Sequence, residues 1–68
     1  MPIAHINIIE GRSPEKRREL MKRVTEAIAE SLDAPPASIR VLIHEVPAFH
    51  WAVGGEPKGA PPETDETG

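Results

Sequence analysis

One amphipathic stretch, opened by Ser13-Pro14 and closed by Asp33-Ala34-Pro35-Pro36, dictates most of what this chain can fold into. Ser13 can cap the first free amides of a helix, and Pro14 suits the first helical position, where no N–H is needed. Glu15 falls in the first turn, where the helix dipole favours negative charge. Leu20, Val24, Ala27, Ile28 and Leu32 recur at helical spacing with Met21 beside them. Lys16, Arg17, Lys22, Arg23, Glu26 and Glu30 lie largely on the other side. The pattern predicts one amphipathic helix of about five turns.

A β-branched segment flanks the helix on each side. In Pro2-Ile3-Ala4-His5-Ile6-Asn7-Ile8-Ile9, one strand face would carry Ala4, Ile6 and Ile8, and the other Ile3, His5, Asn7 and Ile9. Apolar residues on both faces imply that both are covered to some extent. Glu10-Gly11-Arg12 breaks the pattern. Residues 38–46, from Ser38 to Val46, read as a second strand. Strand, helix, strand with a right-handed crossover makes the two strands parallel. Trp51-Ala52-Val53-Gly54-Gly55-Glu56 reads as a short hairpin or turn, because Gly54-Gly55 permits positive φ. The expected fold class is α+β: a β-α-β unit over residues 2–56 with a short C-terminal hairpin. Residues 57–68 are rich in Pro and acids, lack large apolar side chains, and are expected to form a disordered tail.

Size then limits how such a unit can be stable. The chain has 68 residues, and a domain of about 60 residues buries only roughly 60% of the surface its unfolded chain exposes. Small scaffolds add disulfides, a metal or oligomerisation. With no Cys, disulfides and thiolate sites are excluded, which leaves oligomerisation as the natural route. Two strands and one helix also leave a sheet edge and part of a face open, and open edges invite pairing. Net charge is −3 with cations and acids interspersed, unlike the basic stripe of a nucleic-acid binder. No apolar run approaches the ~20 residues of a membrane span, and no charged leader precedes an apolar stretch. A soluble cytoplasmic protein is expected, with no nucleic acid and no membrane as partners.

Few residues can carry chemistry. Small second residues, proline included, permit removal of the initiator Met, and Pro2 would then present a secondary amine. An α-amino group titrates near ~7.7–8.0. Burial and nearby cations both disfavour its charged form, so such an amine could act as a general base near neutral pH. Arg12 and Arg40 can bind carboxylates through paired hydrogen bonds and stabilise developing negative charge. At ~3.3 Å per residue, the first strand spans more than ~20 Å. Arg12 lies past its far end and should not reach Pro2 of its own chain, so any service it gives to that site comes from a partner pairing antiparallel with the first strand. Arg40 starts the parallel second strand, near the same edge as its own Pro2. Trp51, the only Trp, could wall off the amine from water. His5, His44 and His50 have no metal-ligand spacing, and neither metal nor cofactor is expected. Taken singly, each residue also has a plain structural explanation: a rigid strand start, solvated arginines, a packed indole.

Taken in register, these residues resemble the 4-oxalocrotonate tautomerase family. The frame is Pro2-Ile3-Ala4, Glu10-Gly11-Arg12-Ser13, Ser31-Leu32-Asp33-Ala34-Pro35, Ile39-Arg40-Val41, His50-Trp51 and Gly54-Gly55, with no gap from Pro2 to Trp51. The resemblance implies dimers sharing a four-stranded sheet and, commonly, a trimer of dimers. It implies that Pro2 is the base and that Arg12 and Arg40 bind substrate from neighbouring subunits. For Arg40 this differs from the strand geometry, which permits the same chain. Trp51 stands at an apolar wall position usually filled by Phe, and Ile9 at a leucine-like wall position. The implied reaction is a 1,3-proton shift on an unsaturated dicarboxylate such as 2-hydroxymuconate.

A relative that hydrates or dehalogenates haloacrylates would keep the proline protonated and activate water with a carboxylate. Ile9 stands where a further Arg would help, and Ala52-Val53 supplies no carboxylate beside Trp51. A catalytically silent assembly subunit is the other reading, against which the intact set of Pro2, Arg12 and Arg40 argues.

Overall fold

A computed structural model describes residues 1–60. Strand β1 runs Ile3–Ile9, helix α1 Pro14–Leu32, and strand β2 Arg40–Val46, followed by two short strands, β3 (Ala52–Val53) and β4 (Glu56–Pro57). The helix begins where its sequence signals place it. Ser13 is extended, with φ −69° and ψ 157°, and its Oγ accepts the Lys16 N–H at 3.2 Å. At the other end Asp33 takes a left-handed conformation, φ 56° and ψ 43°, and its N–H donates to the Ala29 carbonyl. Asp tolerates that region better than most residues because its short polar side chain bonds locally. Ala34 N–H also reaches the Ala29 carbonyl, at 3.1 Å, so the last turn satisfies its own acceptor before the prolines.

The second strand starts two residues later than its sequence suggests. Pro36–Ser38 form one 3₁₀ turn, in which Ser38 donates from both its N–H and its Oγ to the Pro35 carbonyl, at 2.9 and 2.8 Å. The local hydroxyl bond competes with strand pairing and wins. From Arg40 onward β2 pairs parallel to β1, from Ile3 opposite Arg40 to Ile9 opposite Val46.

That register sorts the side chains onto two faces. Ala4, Ile6, Ile8, Val41 and Ile43 are half-buried on the face beneath α1. Leu20, Val24 and Ile28 of the helix are half-buried against them, whereas Leu32 and Ala27 remain exposed. Arg17 belongs with the inner stripe rather than with the outer charged face: it lies three residues before Leu20 and pairs with Glu45 of β2 at 2.9 Å. The opposite face holds Ile3, His5, Asn7, Arg40, Leu42 and His44, all exposed. The His5 and His44 rings stack there, 6.2 Å apart and 16° from parallel. Among the described residues, Ile39, 8% exposed, is the only apolar residue withdrawn from water.

The hairpin forms as a tight antiparallel turn, with Val53 opposite Glu56. Gly54 and Gly55, at φ 62° and 87°, supply the two positive φ angles such a turn requires. Within the region expected to be a tail, Pro57 belongs to β4, and the Lys58 and Gly59 N–H groups are hydrogen-bonded. The remainder of that expectation, residues 61–68, lies outside the described residues.

Candidate active site

Pro2 sits at the head of β1, one residue before the ladder begins. Its carbonyl accepts the Arg40 N–H at 3.0 Å, so the two residues are neighbours through the backbone. The Arg40 side chain is exposed and turns toward its own chain, donating from Nη1 to the Ala37 carbonyl at 3.1 Å. Met1 precedes Pro2 and is 80% exposed. While Met1 is attached, the Pro2 nitrogen is a tertiary amide without basicity.

Ile9, Arg12 and Trp51 belong to the other end of the sheet. Ile9 closes the ladder opposite Val46, and Glu10 N–H continues it to the Val46 carbonyl at 3.0 Å. Gly11, at φ 126°, then turns the chain into the loop that carries Arg12. A side chain would be strained at that angle, whatever the space around it. Arg12 is exposed, with Nη1 3.4 Å from the Ile9 carbonyl. Its backbone is fixed more firmly than its side chain, because the Arg12 carbonyl accepts Arg17 Nη1 at 2.6 Å. Arg17 thus ties the Arg12 loop to Glu45 of β2. Sequence reasoning missed this role; the one signal for it was the i, i+3 spacing from Arg17 to Leu20.

Beyond β2, Pro47 leads into a second 3₁₀ turn, Ala48–His50, and Trp51 follows, half-buried. The Trp51 peptide is held on both sides. Its N–H donates to the Ala48 carbonyl at 3.2 Å, and its carbonyl accepts the Lys58 N–H at 2.8 Å.

The five residues therefore fall into two groups within one chain. Pro2 and Arg40 share one end of the sheet, while Ile9, Arg12 and Trp51 belong to the other. Seven residues of extended strand separate them, or about 20 Å. No single chain brings a cationic guanidinium at residue 12 to the nitrogen of residue 2. Among the described residues, no three His, Cys, Asp or Glu side chains converge as metal ligands, and no helix is long and apolar enough to cross a membrane.

Comparison with known proteins bears on this arrangement. The family profile described as "Tautomerase enzyme" matches residues 2–61. A 2-hydroxymuconate tautomerase of Stutzerimonas stutzeri is 55% identical over 56 residues, covering 82% of this chain and 89% of that protein. Another from Pseudomonas sp. (strain CF600) is 54% identical over 57 residues, covering 84% and 90%. Among solved structures, a heterohexamer 4-oxalocrotonate tautomerase from Chloroflexus aurantiacus J-10-fl superposes with a TM-score of 0.83 at 41% identity, covering 85% of this chain and 94% of that one. The matches run through the β-α-β unit and the hairpin alike, and the chain accordingly belongs to the 4-oxalocrotonate tautomerase family and is a tautomerase, an isomerase.

Proposed function

We propose that the chain isomerises a 2-hydroxymuconate-like unsaturated dicarboxylate, with the amine of Pro2 as the base, once Met1 has been removed. Pro2 takes the proton of the enol hydroxyl and returns it to C5, so substrate and product are isomers. Arg12 holds the distal carboxylate. Arg40 binds the carboxylate and oxygen at the reacting end and stabilises the dienolate as charge develops there. Trp51 and Ile9 line the pocket and keep water from the amine, which favours its neutral form.

The observation that carries this reading is the division of these residues between opposite ends of the sheet. A two-fold axis pairing β1 of one chain antiparallel with β1 of another would set the Ile9–Arg12 end of each beside Pro2 of its partner. Among the described residues, none adds a strand to the outer edge of β1, and Ile3 and Leu42 on the far face are exposed. Both features suit dimers that share a four-stranded sheet and stack further through that open face. The assembly is a homo-oligomer, a trimer of dimers, with Arg40 supplied by another subunit. The heterohexameric relative supports an oligomer of that order. A cysteine-free composition suits a cytoplasmic setting.

The test follows the ultraviolet absorbance of 2-hydroxymuconate with processed protein and with Pro2→Ala. Pro2→Ala presents a primary amine in place of the secondary amine of proline and loses its fixed ring geometry, so kcat should fall by about tenfold or more. Equal rates would overturn the assignment of Pro2. Mass spectrometry checks the prerequisite, since protein retaining Met1 should be inactive.

A further inference from the structure

Gly54 and Gly55 owe their identity to backbone angle, with nothing within 4 Å of where a Cβ would stand. Gly59 is the opposite case. Its φ lies outside the left-handed region, yet a Cβ there would stand 2.6 Å from the Ala48 Cβ, 3.4 Å from the Ala48 carbonyl carbon and 3.5 Å from the Phe49 nitrogen. The Ala48 Cβ is fixed to its backbone and has no rotamer to escape through, so any side chain at 59 forces the two backbone segments apart.

Those two segments hold the Trp51 peptide between them through its N–H and its carbonyl. The hairpin between them is weak in itself, two residues on each strand, and Pro57 has no N–H to give. Closure depends on the next two residues. Lys58 N–H donates to the Trp51 carbonyl at 2.8 Å, and Gly59 N–H to the Ala48 carbonyl at 3.2 Å. The Ala48 carbonyl is also the acceptor for Trp51 N–H, at 3.2 Å. One carbonyl thus anchors both Trp51 and the strand end that locks it, a use its two lone pairs allow.

We propose that Gly59 is a positioning residue: its missing side chain lets the C-terminal segment close on the Ala48 turn, and that closure fixes Trp51 as a wall of the substrate pocket. The proposal rests on the reading of Trp51 given above, and the experiment separates the two. Trp51 is the sole tryptophan, so the emission of the intact protein reports on it alone. Gly59→Ala should shift that emission and lower kcat/KM about tenfold, because small displacements of positioning groups cost rate steeply. Ala48→Gly removes the opposing Cβ, so the double variant Ala48→Gly/Gly59→Ala should recover the emission and most of the kcat/KM of Ala48→Gly alone. Lys58→Pro removes the other donor without touching Ala48. It should give the same emission shift, with no recovery on adding Ala48→Gly, and it carries the test if Gly59→Ala does not fold. Unchanged emission in both Gly59→Ala and Lys58→Pro would overturn the closure. A shifted Gly59→Ala that Ala48→Gly leaves uncorrected would overturn its steric origin, and a shift without loss of kcat/KM would overturn the positioning role. Trp51→Ala with unaltered kcat/KM would instead overturn the wall reading, leaving the emission result to stand for the closure.

Discussion

The two faces of the β1–β2 sheet come from the same fourteen residues of strand and meet opposite fates. Under α1, Ala4, Ile6, Ile8, Val41 and Ile43 are half-buried, and Arg17 and Glu45 pair at the margin. On the other side Ile3 is 56% exposed and Leu42 41%, among His5, Asn7, Arg40 and His44. One helix provides enough apolar stripe for one face only. The chain therefore covers one face with its own helix and leaves the other to solvent, which is the face the proposed assembly would use.

Charge placed on the open face should do the most damage. If the proposed assembly buries this face, Leu42→Glu should dissociate it and abolish most activity while the helix persists, because an unpaired carboxylate buried between subunits costs several kcal/mol. Sedimentation and far-UV circular dichroism read the two effects separately. Full assembly and full activity would break the contrast between the faces. On the covered side, Ile43→Ala should cost about 1–3 kcal/mol, below the full range for a buried residue because Ile43 is only half-buried. Denaturant unfolding measures it, and the assembled fraction that remains folded should keep its kcat. A loss of subunit association larger than the loss of unfolding stability would mean the faces are coupled. The smallest effect belongs to the outer side of the helix, remote from either face. There Glu19 accepts a 2.6 Å hydrogen bond from Arg23 Nε. That bond and the Arg23 charge hold the Glu19 carboxyl below its usual value of 4.5. A lowered carboxylate stabilises the fold above its unfolded value and stops doing so as pH falls through the lowered one. The pair is exposed and screened, so Glu19→Gln should leave unfolding unchanged from pH 5 to 8, and any difference from the parent should vanish in strong acid.

What could be read in advance follows the same division. The Ser13-Pro14 cap, the parallel order of β1 and β2 and the Gly54-Gly55 turn rest on local rules and were legible residue by residue. The helix stripe was less so. Leu32 fits the spacing but lies in the last turn and is 64% exposed, while Arg17 packs inward because its guanidinium finds Glu45 and the Arg12 carbonyl. The β2 start shifted from Ser38 to Arg40 because a serine hydroxyl closed a turn that strand propensity does not register. Of the candidate site, Pro2, Arg12, Arg40 and Trp51 drew meaning from register with a family, since isolated arginines and a lone indole have no spacing signature. Gly59 left no signal, because its requirement is set by an alanine eleven positions away.

The first rung of the sheet bears on the proposed removal of Met1. Pro2 contributes only its carbonyl to the ladder, through Arg40 N–H, and a proline has no amide hydrogen to contribute. Met1 projects into solvent ahead of the first paired residue. Cleaving the Met1–Pro2 bond therefore removes no hydrogen bond from the sheet and frees a nitrogen that the fold never used. On that proposal stability leaves the order of events open: an aminopeptidase could trim the nascent chain before it folds, and a single chain trimmed after folding would lose no hydrogen bond of the sheet.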